Sequence, residues 1–190
     1  MPSHTHQGAG AKSAKENTIH DLERMLSDSP SPERACLKLA QILRVQRNEV
    51  ALLRVEKGSL RFVFPSELRA AGVIPMTGSA VAARTAATGT PLLSNSFARV
   101  KHVSLFESVK LIDGEQVYEQ PPIQKIMSVP LTQDGGKVVG VVQISRKGLD
   151  PSLAGADFTG EDLKRLEEAA TVLARMPFME ENVPLTEGSS

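Results

Sequence analysis

One cysteine, Cys36, stands in 190 residues. A lone thiol excludes an internal disulfide and leaves no pair for a thiol-ligated zinc site or for thiol exchange. Charge of one sign is equally scarce, since 22 Lys and Arg balance 22 Asp and Glu. No broad field is available to hold a polyanion or an anionic bilayer, which disfavours nucleic acid and membrane as partners. No apolar run is long enough to span a bilayer or to act as a signal h-region. HExxH, GxSxG and P-loop patterns are missing as well, and no internal repeat is found. The expectation is a soluble cytoplasmic chain of a length that suits one domain with extensions.

What is present divides by composition. Residues 1–16 are small and polar, with no apolar period to offset the entropy of ordering, and are expected as a disordered N-terminal tail. His4 and His6 there lack further ligands and receive no role. Pro177, Pro184 and Gly188 mark residues 177–190 as a flexible C-terminal tail. A single domain is expected over residues 17–176.

Within it the hydrophobic period switches between helix and strand. Ile19, Leu22, Met25 and Leu26 recur at helical spacing and stop near Ser29 and Pro30. Ser31 caps a second helix with Pro32 at its first position, and Cys36, Leu39, Ala40 and Leu43 form its buried stripe. Cys36 therefore reads as a small core residue rather than a nucleophile. Strands over 49–55 and 60–64 flank a Glu-Lys-Gly-Ser turn, with Leu60, Phe62 and Phe64 on one face and Arg61 and Val63 on the other. Residues 65–71 form a helical turn ended by Gly72. Gly78 or Ser79 opens an Ala-rich helix that closes at Gly89. Residues 90–93 make an edge strand, because Pro91 cannot donate to a ladder. Residues 103–111 read as weakly helical and 113–122 as a loop.

The last hairpin is the clearest local signal. Strands over 126–131 and 137–145 flank Gln-Asp-Gly-Gly, a turn chemistry suited to positive φ. Val138, Val142 and Ile144 fall on one face and Val139 and Val141 on the other, so the strand is expected to be central and covered on both sides. Thr159 and Asp162 make a capping box for the final helix, with Phe158 stapled to Leu163. Its stripe is Leu163, Leu166, Ala169, Ala170, Val172, Leu173 and Met176. Adjacent strands with helices near the ends indicate an α+β fold on an antiparallel sheet.

The segment GSAVAARTAATGTPLLSN (78–95) resembles the central helix and following strand of the GAF family, related to PAS. IMSVPL (126–131) and GVVQISRK (140–147) are similar to the family's strands around its last hairpin. The resemblance covers residues 31–176. It implies an antiparallel sheet of about five or six strands, helices packed on one face, a ligand pocket on the other, and dimers built on terminal helices. Lys147, Phe158 and Asp162 match three positions of the motif carried by cyclic-nucleotide-binding members. That match makes Lys147 and Asp162 an ion pair tying the last strand to the last helix, although capping already accounts for Phe158 and Asp162. Pigment attachment is disfavoured, since the only thiol falls in an early helix.

The resemblance places a pocket between the sheet and residues 94–111. There Ser94, Asn95, Arg99, His102 and Phe106 would meet Arg84 from the neighbouring helix and Ser128 from a strand, with Ser79 offering an exposed N–H to an anion. Arg99 and His102 rank first. Lys101 beside them adds positive charge that suits an acidic metabolite or phosphate. No catalytic residue, metal-ligand set or cofactor is assigned. The leading expectation is a stand-alone regulatory sensor that binds a small molecule, forms a homodimer and acts on a separate effector protein. A ligand-free scaffold for protein contact is the alternative. A methionine sulfoxide reductase-like enzyme is disfavoured, because that chemistry needs a reactive thiol.

Overall fold

Capped amphipathic helices form the back of the molecule. The computed structural model describes residues 10–99, 111–113, 116–118 and 120–181, and side chains from 18 to 98 and from 120 to 181. Helix α1 (Gly10–Asp28) begins within the expected tail, so residues 10–16 are helical. Its Leu22 and Leu26, one turn apart, are fully buried, each worth about 1.5–3 kcal/mol of transfer free energy. Ahead of α2 (Pro32–Leu43), Ser31 Oγ accepts the Arg34 N–H at 3.3 Å, Pro32 takes the first position, and Arg44 ends the helix in the left-handed region at φ 55°. Cys36, Leu39, Ala40 and Leu43 are buried as the spacing requires.

The sheet contains β1 (Val50–Glu56), β2 (Ser59–Phe64), β3 (Val73–Pro75), β4 (Leu92–Ser94), β7 (Ile123–Thr132) and β8 (Val138–Lys147) in the order β3-β2-β1-β8-β7-β4. All neighbouring pairs are antiparallel. The expected central position of the Val-rich strand is met, with β8 between β1 and β7. The three-residue β3 gives too short a pattern to read from sequence. Residues expected as a loop contain instead a separate hairpin, β5 (Leu111–Asp113) with β6 (Gln116–Tyr118). Leu111 is thus strand rather than helix, and residues 103–110 lie outside the described ones.

One face of the sheet carries α1, α2 and α4 (Gly160–Leu173); the other carries α3 (Val81–Thr88). Helix α3 starts two or three residues later than expected, and the Gly78 N–H instead closes a turn on the Pro75 carbonyl at 2.9 Å. Gly89 ends it at φ 64°. Helix α4 opens on the expected capping box: Asp162 N–H donates to Thr159 Oγ1 at 3.1 Å and Thr159 N–H to Asp162 Oδ2 at 2.9 Å.

Two irregular registers reverse the expected alternation. Leu53 faces Phe62 but Leu52 faces Phe64, so Val63 is an extra residue. Phe64 and Val63 both join the α1/α2/α4 core, while Leu60 and Phe62 lie under α3. In the last hairpin Leu131 faces Gly140 and Thr132 faces Val138, leaving Val139 extra. Val139 joins the helix-side core and Val138 packs toward α3, the opposite of their expected sides. A bulge inserts one residue, and each residue beyond it changes face.

Residues 177–181, expected as part of a flexible C-terminal tail, are ordered against the domain. Residues 177–181 dock as a strap, with Pro177–Met179 in a 3-10 turn and Met179 only 1% exposed over the helix-side core. Arg54 Nη1 donates to the Phe178 carbonyl at 3.2 Å, and the Lys57 N–H to Glu181 Oε1 at 2.8 Å. These bonds tie the strap to the β1–β2 hairpin.

Candidate functional site

On the α3 side of the sheet, small and uncharged side chains sit in the middle of a larger apolar frame. Leu53, Phe62, Ile126 and Val141 supply the frame. Ala51 on β1 and Ser128 on β7 flank Gln143 on β8 in direct register. Alanines at 82, 83 and 86 allow α3 to approach closely and carry Thr85 down to the sheet. Thr85 Oγ1 lies 2.8 Å from Ser128 Oγ, which also accepts from Gln143 Nε2 at 3.2 Å. All three are buried. Ser145, two residues along the same face, donates to the Glu49 carbonyl at 3.3 Å.

The sequence-derived site residues distribute unevenly around this trio. Ser128 belongs to it. Ser94 faces Ile126 in register and is half-buried on β4. Asn95 is committed elsewhere: its Nδ2 donates to the Phe158 carbonyl at 3.0 Å and its Oδ1 accepts the Phe158 N–H at 2.9 Å. The side chain brackets the entry to α4 rather than facing a ligand. Arg84 is exposed beside a cleft of about 260 Å³ between α3 and β4, with Thr88, Thr90, Pro91 and Leu92. Ser79 is exposed before α3 begins. The backbone of Arg99 ends a short 3-10 turn, Phe97–Arg99; its side chain, together with Lys101, His102 and Phe106, lies outside the described residues.

The expected Lys147–Asp162 pair does not form. Lys147 Nζ donates to the Asn48 carbonyl at 2.8 Å, whereas Asp162 serves the α4 cap and approaches Arg165 at 3.6 Å. The carboxylate that secures the end of β8 is Glu49, which accepts the Lys147 N–H at 2.7 Å and the Gln46 N–H at 2.8 Å. Sequence reading missed Gln143 and Thr85 as site residues. The available signal was a polar side chain at an inward position of an otherwise apolar central strand, between Val141 and Ser145.

Cys36 lies in the helix layer on the far side of the sheet. Burial, reinforced by the nearby Glu33 carboxylate, pushes its thiol far above the usual range, so the nucleophilic thiolate is suppressed. Native protein is therefore expected to resist alkylation by iodoacetamide at pH 8 and to react once unfolded in urea, as read by mass spectrometry. Rapid modification of the folded chain would contradict this placement.

A family model, the GAF domain, matches residues 33–176. The chain belongs to the GAF family. Its fold is similar to the GAF domain of the Acinetobacter phosphoenolpyruvate-protein phosphotransferase, with 13% identity, coverage of 85% of this chain and 90% of that one, and a TM-score of 0.62. It is also similar to the nlh2 GAF domain of A. aeolicus in an inactive state, with 14% identity, 86% and 94% coverage, and a TM-score of 0.59. A third similar structure is the free methionine-R-sulfoxide reductase of Neisseria meningitidis in complex with its substrate, with 19% identity, 90% and 93% coverage, and a TM-score of 0.57. No curated protein sequence matches this GAF chain. At these identities the solved structures establish the shared fold. The family match ends at Met176, where the docked strap begins.

Proposed function

We propose that this GAF protein is a regulatory sensor that binds a small molecule on the α3-bearing side of the sheet and signals through contacts with a second copy or a separate effector protein. The observation that carries the reading is the Thr85–Ser128–Gln143 trio, a set of buried hydrogen-bonding groups on the face opposite the packed helix layer. Convergent polar groups within an apolar frame are the usual make-up of a ligand site. Arg99, Lys101 and His102 remain the basic groups proposed to meet an acidic portion of the ligand.

An enzyme of the methionine sulfoxide reductase kind is not the favoured reading. Its nucleophile would have to be Cys36, which the sheet separates from α3. The scaffold reading draws on a different feature, the turn at residues 149–153. There Asp150 Oδ1 accepts from Ser152 N, Ser152 Oγ and Leu153 N, holding Leu149 and Leu153 80% and 66% exposed.

The sensor reading predicts a hit in a thermal-shift screen of cyclic nucleotides, nucleotides, amino acids, oxoacids and haem. A ligand at about one hundred times its dissociation constant adds roughly 2.7 kcal/mol of stability. Light scattering with and without the hit then reports whether the assembly responds. Silence across the panel would favour the scaffold.

A further inference from the structure

A second cleft opens at the outer edge of β7. Strand β4 pairs with β7 only from Ile126 to Ser128 and begins at Leu92, because Pro91 before it has no N–H to carry the ladder further. Past that point β7 keeps β8 on one side. On the other lies a cleft of about 250 Å³ between the α3–β4 turn, β7 and α4, with Pro91, Val129 and Ala170 among its apolar walls.

Apart from the Thr132 hydroxyl, which can turn either way, the polar side chains and turn groups of this cleft accept hydrogen bonds and have none to give. Pro130 stands opposite Val141 of β8. Without an N–H it cannot make the reciprocal bonds of a hydrogen-bonded pair, so its carbonyl turns away from β8, toward the open edge. The Gly89 N–H is already given to the Thr85 carbonyl at 2.9 Å. Thr171 Oγ1 donates its hydrogen to the Glu167 carbonyl at 3.1 Å and keeps only lone pairs for the cleft. Glu167 carries the one formal charge on the wall. No Lys or Arg pairs with it among the described residues, since Arg165 is taken by Glu161 and Asp162.

A carboxylate or phosphate placed here would meet acceptors and a like charge. An alkylammonium ion has the complementary make-up: three N–H donors for a carboxylate, a carbonyl and a hydroxyl, and a hydrocarbon stem for the apolar walls. We propose that this cleft is a binding site for a small primary alkylammonium ion, with Glu167 as its counter-charge. Pro91 also walls the cleft beside Arg84, so the α3–β4 turn stands between this cation site and the α3 side on which the sensor ligand is proposed to bind. The two assignments are independent.

The test is an amide NMR titration of the full chain at pH 7 and constant ionic strength with n-butylamine, its uncharged isostere n-butanol, and butyrate. The amine is protonated at that pH. Butylamine should shift the Gly89, Thr132, Glu167 and Thr171 signals saturably, with a dissociation constant of about 1–10 mM for so small a ligand. Butanol and butyrate should bind at least about fivefold more weakly. Glu167→Gln, at an exposed position, should weaken the amine by a similar factor, whereas Glu168→Gln, exposed beside it but outside the cleft wall, should not. Butanol or butyrate binding as tightly as butylamine to the wild type overturns the proposal without recourse to any variant. So do amine shifts that fall elsewhere in the chain, equal losses in Glu167→Gln and Glu168→Gln, or no saturable shift at about 50 mM amine.

Discussion

Replacing Gly140 by alanine is expected to lower the unfolding free energy by about 3 kcal/mol, at the upper end of the usual cost of overpacking. Gly140 lies on β8 opposite Arg54 of β1. A Cβ built there would overlap the Leu53 carbonyl oxygen and Met179 Cε. The first obstacle is backbone of an adjacent hydrogen-bonded strand and yields only if the β1–β8 ladder shifts. The second is the tip of a flexible thioether, but Met179 is buried and cannot move without lifting the strap from the sheet. The two obstacles separate in a mutant cycle. Met179→Ala alone should cost about 2–5 kcal/mol through the cavity it leaves. Combined with Gly140→Ala it should cost less than the sum, because the new methyl occupies part of that cavity. Urea unfolding of the four proteins measures this directly. A Gly140→Ala variant within about 0.5 kcal/mol of wild type would show that β8 does not lie this close to β1 and the strap.

The same neighbourhood explains how far the fold could be read from the sequence. Capping residues are local, and Ser31, Thr159 and Asp162 act where their spacing places them. The alternating valines made β8 a central strand, and it is one. The bulges were not legible, because an extra residue at Val63 or Val139 depends on the partner strand's register and leaves the strand's own composition unchanged. That is why Phe64 and Val139 were each expected on the wrong face. The strap escaped notice for a related reason. Helix α4 stops at Leu173, ahead of the expected Pro177, and what makes room for Met179 is the missing side chain of Gly140, far away in the chain.

The site was legible to a smaller degree. Ser128 was recognisable as a polar residue on a strand near the expected pocket, and it bonds to Thr85 and Gln143. Asn95 was equally polar and equally near, but both ends of its amide are occupied by the Phe158 backbone, 63 residues away in sequence. Polarity alone does not distinguish a side chain that is already satisfied from one that is not. The difference becomes visible only when every donor and acceptor is followed to its partner, and by that measure Asn95 is already satisfied.

Glu49→Ala is expected to destabilise the protein by about 3 kcal/mol. Family resemblance suggested that a Lys147–Asp162 pair anchors the end of β8, yet the anchor is a carboxylate immediately before β1. Glu49 is 7% exposed and accepts two backbone N–H groups, from Gln46 at 2.8 Å and Lys147 at 2.7 Å. Charge-assisted bonds of this length are about twice as strong as neutral ones. Truncation removes both and leaves two backbone donors without their acceptor, which is the costly direction of the change. Glu49→Gln should cost more than half as much, because only one amide oxygen remains to accept and its NH₂ is turned toward a backbone N–H. Asp162→Ala removes only a half-buried helix cap and should cost about 1 kcal/mol. Urea midpoints for the three variants give the ranking. If Asp162→Ala proves as damaging as Glu49→Ala, the strand end is held from α4 after all, and the assignment of Glu49 as its anchor is wrong.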